Sequence, residues 1–447
     1  MGISQVRKHP AKRLNVLRRQ HALTALDRTK MVHLKRLIHA VALVMKVSLQ
    51  YHLKNRLQKS RILMLRLFRQ YIGIVSICHS DMWCRIGKPQ RVYITIDSLR
   101  DAVIPIYYRF KNKSQLRRVY DGFRFPSLFR TSTREKFTGE EVFLCGIRRL
   151  TFPNRTVESF WQTDFGFDHQ QVSKVFNIFI GFILMNWAYL LLDHLKFWKP
   201  YLKGFAESIR QQVVSMGCYF PSAGTEGGFA VCAFIDNTMN ATCRPGGGPA
   251  RDGKSAPRND PLIQQAWYNG WKKLHGLKWQ TVDFPNGMNG HVYGPISVRR
   301  NDLTTANWSG INALWVALQQ NEEYQYTIYG DSAYILLSYS HIKARHTADP
   351  MTPRLVLENK CLATCRETIE WDYGNIGSMW AYLGYKKVLK LRSMPVGQIC
   401  LAAMVLRNAH VTLNGCNTSE YFACSPPSFE EWIKEGPRYC PLPFDVR

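Results

Sequence analysis

Residues 229–236 read Phe229-Ala-Val-Cys-Ala-Phe-Ile-Asp236, an apolar run that ends on an acid. A continuous apolar stretch of this length, without polar residues at alternate positions, is typical of a β-strand that is buried on both faces. Such strands are found in α/β proteins, whose helices cover both faces of the sheet. The stretch therefore predicts a buried strand of an α/β core, with Asp236 at its carboxyl end.

The residues around this strand predict the rest of the core. Pro, Ser, Gly and Thr cluster at 221–228 and mark a domain boundary before the strand. After the strand, apolar patterns and turn residues predict further strands within 267–284, 291–298 and 326–330, and helices at 302–318 and around Glu370. Strand, strand, strand, helix, strand and helix is the order of an RNase H-like α/β core, which we expect over residues 221–413.

The segment before the boundary, residues 136–220, predicts an all-α helical domain. Thr138 is followed by two acids in the first turn, which is typical of a capped helix start. A second short helix is expected at 157–165, and Asp168 caps a third. This outline is typical of a helix-turn-helix, and it fits a simple three-helix bundle equally well. In the helix-turn-helix interpretation, the residues facing DNA bases are His169, Gln170, Gln171 and Lys174.

The charge of the chain predicts a polyanionic partner. The formal net charge is +28 over 447 residues, and residues 1–70 contain Asp27 as their single acid. An excess of this size favours binding to phosphate backbones or anionic surfaces. We expect helices with a cationic face between Lys30 and Tyr71, within a basic, mostly helical region 1–135 whose role stays open. Residues 414–447 are expected to form a C-terminal tail.

The stretch Val175–Leu192 is apolar and about long enough to span a bilayer. Polar and small residues interrupt it, so we interpret it as a buried helix and keep a membrane anchor as the alternative. The twelve cysteines form no Cys-x-x-Cys pair, which favours a reduced, intracellular compartment.

Two acids follow apolar strands, and a third lies on a helix. Asp236 and Asp331 each end a strand, where an acid opens onto the crevice in which α/β sheets bind ligands. Glu370 shares a helix face with Glu367, and Arg366 lies one turn earlier, where it can orient the carboxylate or touch a phosphate. Alone, an acid at a strand end is more simply explained as a cap or a turn former, and Glu370 has the alternative of a surface ion pair. Together they predict a site for divalent cations, which prefer oxygen ligands.

A cationic strand is expected near this site. Between Trp271 and Trp279, basic and apolar residues alternate, as in a strand that packs one face and points the other at a DNA backbone. The alternative is an exposed edge strand whose charges protect against aggregation. The predicted DNA-binding residues of this strand are Lys272, Lys273, His275 and Lys278.

Three blocks of sequence together resemble the DDE nuclease domain of PIF/Harbinger-type transposases. They are Phe234-Ile-Asp-Asn-Thr238, Tyr329-Gly-Asp-Ser-Ala-Tyr334 and Arg366-Glu-Thr-Ile-Glu370. Further similar blocks lie at 272–280, 285–287 and 300–302, and the helical segment 138–195 looks like the helix-turn-helix that precedes this domain. The resemblance spans residues 123–413.

The resemblance implies a metal-dependent DNA endonuclease or transposase. Asp236, Asp331 and Glu370 would bind Mg²⁺ or Mn²⁺, with Arg366 and Asp302 in support. One ion would activate water or a DNA 3′-hydroxyl, and the other would stabilise the leaving oxygen. The substrate would be transposon ends or a target site in the nucleus, with a separately encoded Myb-like DNA-binding protein as partner and no membrane; the oligomeric state stays open. The alternative is a domesticated descendant that binds DNA without cutting it.

Overall fold

The computed structural model describes residues 91–152, 164–220, 230–245, 261–320, 325–336, 341–386, 389–391 and 393–440. All of them belong to one of the two units into which the chain divides, Pro89–Arg447. The cationic helices expected between Lys30 and Tyr71, the boundary cluster at 221–228 and nearly all of the helix expected at 157–165 lie outside the described residues.

The segment before the large sheet is mainly helical. Its helices are α1 (Ile104–Tyr107), α2 (Lys113–Gly122), α3 (Gly139–Thr151), α4 (His169–Trp187), α5 (Tyr189–Leu192), α6 (Leu195–Trp198) and α7 (Leu202–Ser215). Two 3₁₀ turns, Asp101–Val103 and Lys199–Tyr201, join them. A small antiparallel pair of strands, β1 (Leu128–Arg130) and β2 (Lys136–Thr138), lies directly before α3.

The helix starts predicted at Thr138 and Asp168 are confirmed. The Thr138 hydroxyl accepts a hydrogen bond from the backbone N–H of Glu141, whose carboxylate accepts the N–H of Thr138 in return. Asp168 and Gln171 form the same reciprocal pair at the start of α4. Each pair satisfies N–H groups that have no partner within the helix, which fixes where α3 and α4 begin.

The central sheet is mixed. Its strands are β3 (Ala230–Ala241), β4 (Tyr268–Asn269), β5 (Leu274–Asp283), β6 (Asn289–Ser297), β7 (Tyr326–Tyr329) and β8 (Ile342–Lys343). Five strands run in the order β6-β5-β3-β7-β8, and the two-residue β4 pairs with the beginning of β5. β5 is antiparallel to β3 and β6, whereas β7 is parallel to both β3 and β8. This mixed α/β arrangement is consistent with the expected RNase H-like core.

Helices cover the sheet and follow it. They are α8 (Pro261–Ala266), α9 (Asp302–Ser309), α10 (Ile311–Leu318), α11 (Pro353–Arg366), α12 (Thr368–Met379), α13 (Ala381–Gly384), α14 (Val396–Asn414), α15 (Asn417–Tyr421) and α16 (Phe429–Trp432), with a 3₁₀ turn at Ser332–Leu336. The single helix predicted at 302–318 is two helices. Gly310, with φ of 61°, takes a left-handed conformation that ends α9 and redirects the chain into α10.

One hydrophobic core joins the helical segment to the sheet. It includes Trp187 and Trp198 from the helices together with Val282 and Trp315 from the α/β part. The segment expected to be a C-terminal tail also belongs to this core through the buried α16. The ring of Phe429 lies 5.6 Å from the ring of Phe123, centroid to centroid. Residues 417–440 are therefore an integral part of the fold.

In the described part of the chain, one helix, α14, is long and apolar enough to cross a membrane by length and composition. Of the most apolar 18-residue stretch of this helix, 78% is buried inside the protein. The stretch Val175–Leu192 forms most of α4 and all of α5. Its side chains, among them Phe179 and Ile183, pack in the core.

Candidate active site

Asp236 lies where β3 leaves the core. Residues 230–235 of the strand are buried, and residues 236–241 are half-buried. The structure differs from the prediction in one respect, because β3 does not end at Asp236 but continues to Ala241 along β5. The continuation is stabilised by antiparallel pairing, in which Asp236 is opposite Thr281 and Ala241 is opposite Gly276.

Asp331 follows β7, the strand next to β3. β3 and β7 are parallel, and Phe234 is the register partner of Tyr329. Asp236 and Asp331 are each two residues beyond these partners, so both carboxylates are carried to the same edge of the sheet. Asp331 Oδ1 accepts the backbone N–H of Ala333 at 2.9 Å, which orients the carboxylate at the start of the 3₁₀ turn. The predicted strand 326–330 that delivers Asp331 is confirmed.

Asp302 is a third acid in the same neighbourhood. It is the first residue of α9, whose N-terminus is capped by the side chain of Asn301. The buried ammonium of Lys278 donates to Asp302 Oδ1 at 2.8 Å and to the carbonyl oxygen of Arg300 at 2.6 Å. This ion pair attaches the beginning of α9 to β5.

Tyr334 is a buried residue close enough to three aspartates to feel their charges. Burial raises its pKa well above the ordinary value, and the negative charges of Asp236, Asp302 and Asp331 raise it further. The Tyr334 hydroxyl accepts long hydrogen bonds of 3.3 Å from the side-chain amides of Asn237 and Gln280. Tyr334 therefore packs against β3 and β5 through Asn237 and Gln280, within the influence of the three carboxylates.

Arg366 contacts Asp236. Its guanidinium Nη1 lies 2.5 Å from Asp236 Oδ2, and the backbone N–H of Asn237 donates to Asp236 Oδ1 at 2.7 Å. Burial raises the pKa of Asp236 to about 6, the Arg366 charge and the Asn237 N–H oppose that rise, and the charges of Asp331 and Asp302 add to it. The predicted supporting residue is thus at the site, but its partner is Asp236 rather than Glu370.

Glu370 is exposed in the first turn of α12. Within the described residues, Glu370 does not form a group with Asp236 and Asp331 that could hold a metal ion. The helix expected to carry both Glu367 and Glu370 is divided, since α11 ends at Arg366 and α12 starts at Thr368. Tyr373, one turn after Glu370, donates or accepts a hydrogen bond of 2.7 Å with the Thr281 hydroxyl and so holds α12 against the sheet.

The carboxylates fit a hard divalent cation in part. Asp236 and Asp331 offer oxygen donors at one sheet edge, where their mutual repulsion favours a bound positive charge. Within the described ranges, however, no three His, Cys, Asp or Glu side chains are close enough together to hold an ion. The register therefore carries two aspartates to one edge of the sheet, and in the described residues they do not form a three-carboxylate group with Glu370.

The predicted cationic strand is only partly as expected. Lys272 and Lys273 are exposed in the turn before β5, and His275 is half-buried at its beginning. Lys278 is buried, with 3% of its side chain exposed, because it serves Asp302 and the Arg300 carbonyl. From this position it does not reach a DNA backbone. The edge-strand alternative is wrong, since β5 pairs with β3 on one side and with β6 on the other.

The predicted base-reading residues divide into two pairs. His169 and Gln170 are exposed at the beginning of α4. Gln171 and Lys174 contact Glu135 in the loop between β1 and β2, and the Lys174 ammonium lies 2.5 Å from its carboxylate. These contacts hold α4 against the β1–β2 hairpin. Of the four residues, His169 and Gln170 make no such contact with the hairpin loop. DNA reading by α4 stays a prediction.

A family model described as DDE superfamily endonuclease matches residues 252–408. The match contains Asp302, Asp331 and Glu370, and it begins downstream of Asp236. It supports a DDE transposase-like family, and with it a metal-dependent nuclease or transposase activity for which DNA is the substrate. Searches of the curated proteins and of the solved structures gave no match.

Proposed function

We propose that this protein is a DNA endonuclease or transposase of the PIF/Harbinger type, in which Asp236, Asp331 and Glu370 carry the reaction. The observation that supports this most is the placement of Asp236 and Asp331 on adjacent parallel strands, two residues beyond register partners. Two acids held at one sheet edge by backbone pairing do not depend on side-chain flexibility for their spacing. The family match over 252–408 supports the same chemistry.

The carboxylates of Asp236 and Asp331 would hold Mg²⁺ or Mn²⁺, with Glu370 reaching them from α12. Bound ions of this kind activate a water or hydroxyl nucleophile and stabilise the leaving oxygen. Asp331 is oriented for this task by the Ala333 N–H. Lys278 holds Asp302 at the beginning of α9 and balances the charge of its carboxylate.

Arg366 has two tasks in this proposal. In the described state it neutralises Asp236, which keeps the buried carboxylate stable without a cation. A guanidinium at this position can also take a phosphate oxygen of DNA, because the planar fork binds phosphates as it binds carboxylates. Exchange of Asp236 for phosphate would free the aspartate for metal when the substrate arrives.

The substrate and setting follow from the charge and from the resemblance. A net charge of +28 favours binding along a phosphate backbone. The proposed substrates are transposon ends or target sites in the nucleus. A separately encoded Myb-like protein would supply sequence recognition.

The second candidate is a domesticated protein that binds DNA without cutting it. The ion pair between Arg366 and Asp236 favours this alternative, as does the finding that no three ligating side chains of the described residues form a group that could hold a metal ion. The two candidates differ in cleavage and agree in DNA binding.

Cleavage of plasmid or terminal-repeat DNA by the purified full-length protein decides between them. We expect cutting with Mg²⁺ or Mn²⁺ and none with chelator. Asp236→Asn, Asp331→Asn and Glu370→Gln should each reduce the rate by at least about 100-fold, since even residues that only orient metal ligands are worth about 10- to 100-fold. Glu367→Gln, which removes a neighbouring exposed acid, is the control and should cut normally.

Cleavage that persists with chelator, or that all three substitutions leave unchanged, would contradict the proposed site. DNA binding without cleavage under every metal condition would establish the second candidate instead.

A further inference from the structure

A half-open cavity adjoins the proposed site along the second half of β3. Its volume is about 290 Å³, and its lining includes Thr238 and Asn240 from β3, Tyr373 and Gly377 from α12, and Met404 from α14. Asp236, Thr238 and Asn240 alternate along one strand and therefore share a face of the sheet. At about 3.3 Å per strand residue, Thr238 follows Asp236 by about 7 Å. We call this space the β3 cavity.

The chemistry of the β3 cavity suits a nucleobase. Ile376, Leu383 and Met404 supply apolar walls, on which a base can pack as it does on aromatic and apolar side chains in single-strand binding proteins. Asn240 Oδ1 is buried and accepts no hydrogen bond from the described residues. A buried amide oxygen without a donor is costly, so turning the Asn240 side chain into the cavity to meet the exocyclic amine of adenine or cytosine, which is a donor, would relieve that cost.

A second cavity of about 280 Å³ continues from the first, because Ala241 and Lys386 line both. Its lining includes the cations Arg244 and Lys273 and the imidazole of His275. We call it the basic cavity. In the described part of the chain, no acid lies within ion-pair distance of Lys273 or Lys386, and Arg244 donates to the neutral amide of Gln264. These cations therefore keep their charge available for phosphates.

The size and order of the two cavities favour a single strand over a duplex. The β3 cavity lies just below the range of about 300–1,000 Å³ that is typical of small-ligand pockets, so it admits one nucleotide and not a base pair. Pockets that hold a single nucleotide out of the stack are known from enzymes that do chemistry on a base. The cations of the basic cavity then lie where the phosphates that follow that nucleotide would run.

We propose that the β3 cavity binds one unpaired nucleotide of the DNA strand held at the Asp236 site, and that the basic cavity binds the adjoining phosphates. This inference rests on the proposed nuclease function for its choice of DNA. The base packs against Met404 and Leu383 and hydrogen-bonds to Asn240. Lys386, which lines both cavities, contacts the phosphate between them.

Filling the β3 cavity tests the proposal. Gly377 lines the cavity, and a Cβ at this position meets nothing within 4 Å, so that Gly377→Leu adds a side chain without a clash at Cβ. Gly374→Leu is the matched control, because Gly374 lies one turn earlier on the same helix, is equally open at Cβ and does not line the cavity. Both substitutions improve helix propensity by the same amount.

The measurement is the binding of a single-stranded oligonucleotide that carries 2-aminopurine, followed by fluorescence and anisotropy with chelator present. We expect Gly377→Leu to weaken binding by about 10-fold, the loss expected for one stacked base, and to abolish the fluorescence change. Gly374→Leu should bind as the unmodified protein does, and a matching duplex should bind without a fluorescence change. Equal binding by both glycine variants would overturn the proposal.

Two exposed lysines give a test that does not depend on the packing of α12. Lys273→Ala and Lys386→Ala should each lower the slope of log affinity against log salt by about 0.7, the value for one phosphate contact on a single strand. Lys203→Ala, on the exposed side of α7, is the control and should leave the slope unchanged. Unchanged slopes for both test variants would overturn the basic-cavity part of the proposal.

Binding with chelator separates this inference from the nuclease assignment. If no metal supports cleavage but the glycine and lysine variants behave as expected, the nuclease function fails and the single-strand site stands. If the protein cuts DNA while Gly377→Leu binds normally, the nuclease function stands and the single-strand site fails.

Discussion

Breaking the buried ion pair between Arg407 and Asp372 is expected to be one of the most destabilising single changes in the described part of the chain. The Arg407 guanidinium lies 2.5 Å from Asp372 Oδ1, and it also donates to the carbonyl oxygen of Gly287 in the turn between β5 and β6. At most 1% of either side chain is exposed, so water does not screen the pair. The pair joins α14 to α12, the helix that carries Glu370.

We expect Arg407→Met to lower the free energy of unfolding by about 3–5 kcal/mol, the usual cost of leaving a buried charge without its partner. Three features of this site place the value within that range. Asp372 would keep only the Thr418 hydroxyl as a donor, since its second carboxylate oxygen already has no partner among the described residues. The nearby carboxyl of Asp283, whose pKa burial raises to about 7 with a further rise from the Asp372 charge, offers repulsion and not relief. The Gly287 carbonyl would lose its donor as well.

Urea unfolding followed by tryptophan fluorescence measures this loss, and a double variant controls it. Arg407→Met with Asp372→Leu replaces both charges by apolar groups and should recover most of the stability, because buried pairs are often neutral when exchanged whole. A loss below about 1 kcal/mol for the single variant, the usual size of an exposed pair, would refute the reasoning. So would a double variant that is as unstable as the single one.

Three further predictions follow from local features. Lys278→Ala should cost about 1–3 kcal/mol in urea unfolding, because it removes the charged hydrogen bonds of a buried ammonium to half-buried Asp302 and to the Arg300 carbonyl. The exposed Lys272→Ala should stay within about 0.5 kcal/mol, and equal effects would contradict a structural role for Lys278. Burial lowers the pKa of His291 to about 4, below the value of about 6.5 in the unfolded chain. The unfolded chain therefore binds more protons, and the free energy of unfolding should fall as the pH drops from about 6.5 to 4. His291→Phe should make this fall smaller in thermal melts measured across that pH range. Gly310→Ala should destabilise the protein by about 1 kcal/mol, because the backbone there has a φ of 61° that favours glycine. Gly374→Ala should stabilise it by about 0.5–1 kcal/mol, because Gly374 lies within a helix and its Cβ position is open. Shifts of the melting temperature in the same direction for both variants would contradict a left-handed break between α9 and α10.

The apolar pattern predicted the elements that local rules govern. The run at 229–235 and the strand before Asp331 need no partner to be identified, because a buried strand is apolar on both faces wherever it pairs. The caps at Thr138 and Asp168 are equally local, since the bonds that define them span three residues. Fold class was therefore accessible from sequence alone.

The site was less accessible because its geometry depends on contacts between distant segments. Arg366 and Asp236 are 130 residues apart, and no spacing rule predicts that they pair. Lys278 follows the same alternation as its neighbours, but the Asp302 carboxylate draws it into the protein. Tyr334, which no prediction assigned to the site, was visible only as the last residue of the block that begins with Tyr329. The break between α9 and α10 does have a signal in the sequence, which is Gly310 itself. The helical spacing of the apolar residues on both sides of Gly310 led instead to the prediction of one continuous helix.

The closing segment, residues 417–440, has a consequence for how the chain is made. Phe429 and Trp432 fill the core beside Phe123 and Trp187, and the Tyr189 hydroxyl donates to the Gly436 carbonyl oxygen. During synthesis, the helices near residue 120 are therefore made well before the residues they pack against, which are translated about three hundred positions later. Until those residues emerge from the ribosome, the aromatic side chains that they cover stay exposed to solvent. We expect chaperones to bind the growing chain most strongly at that stage.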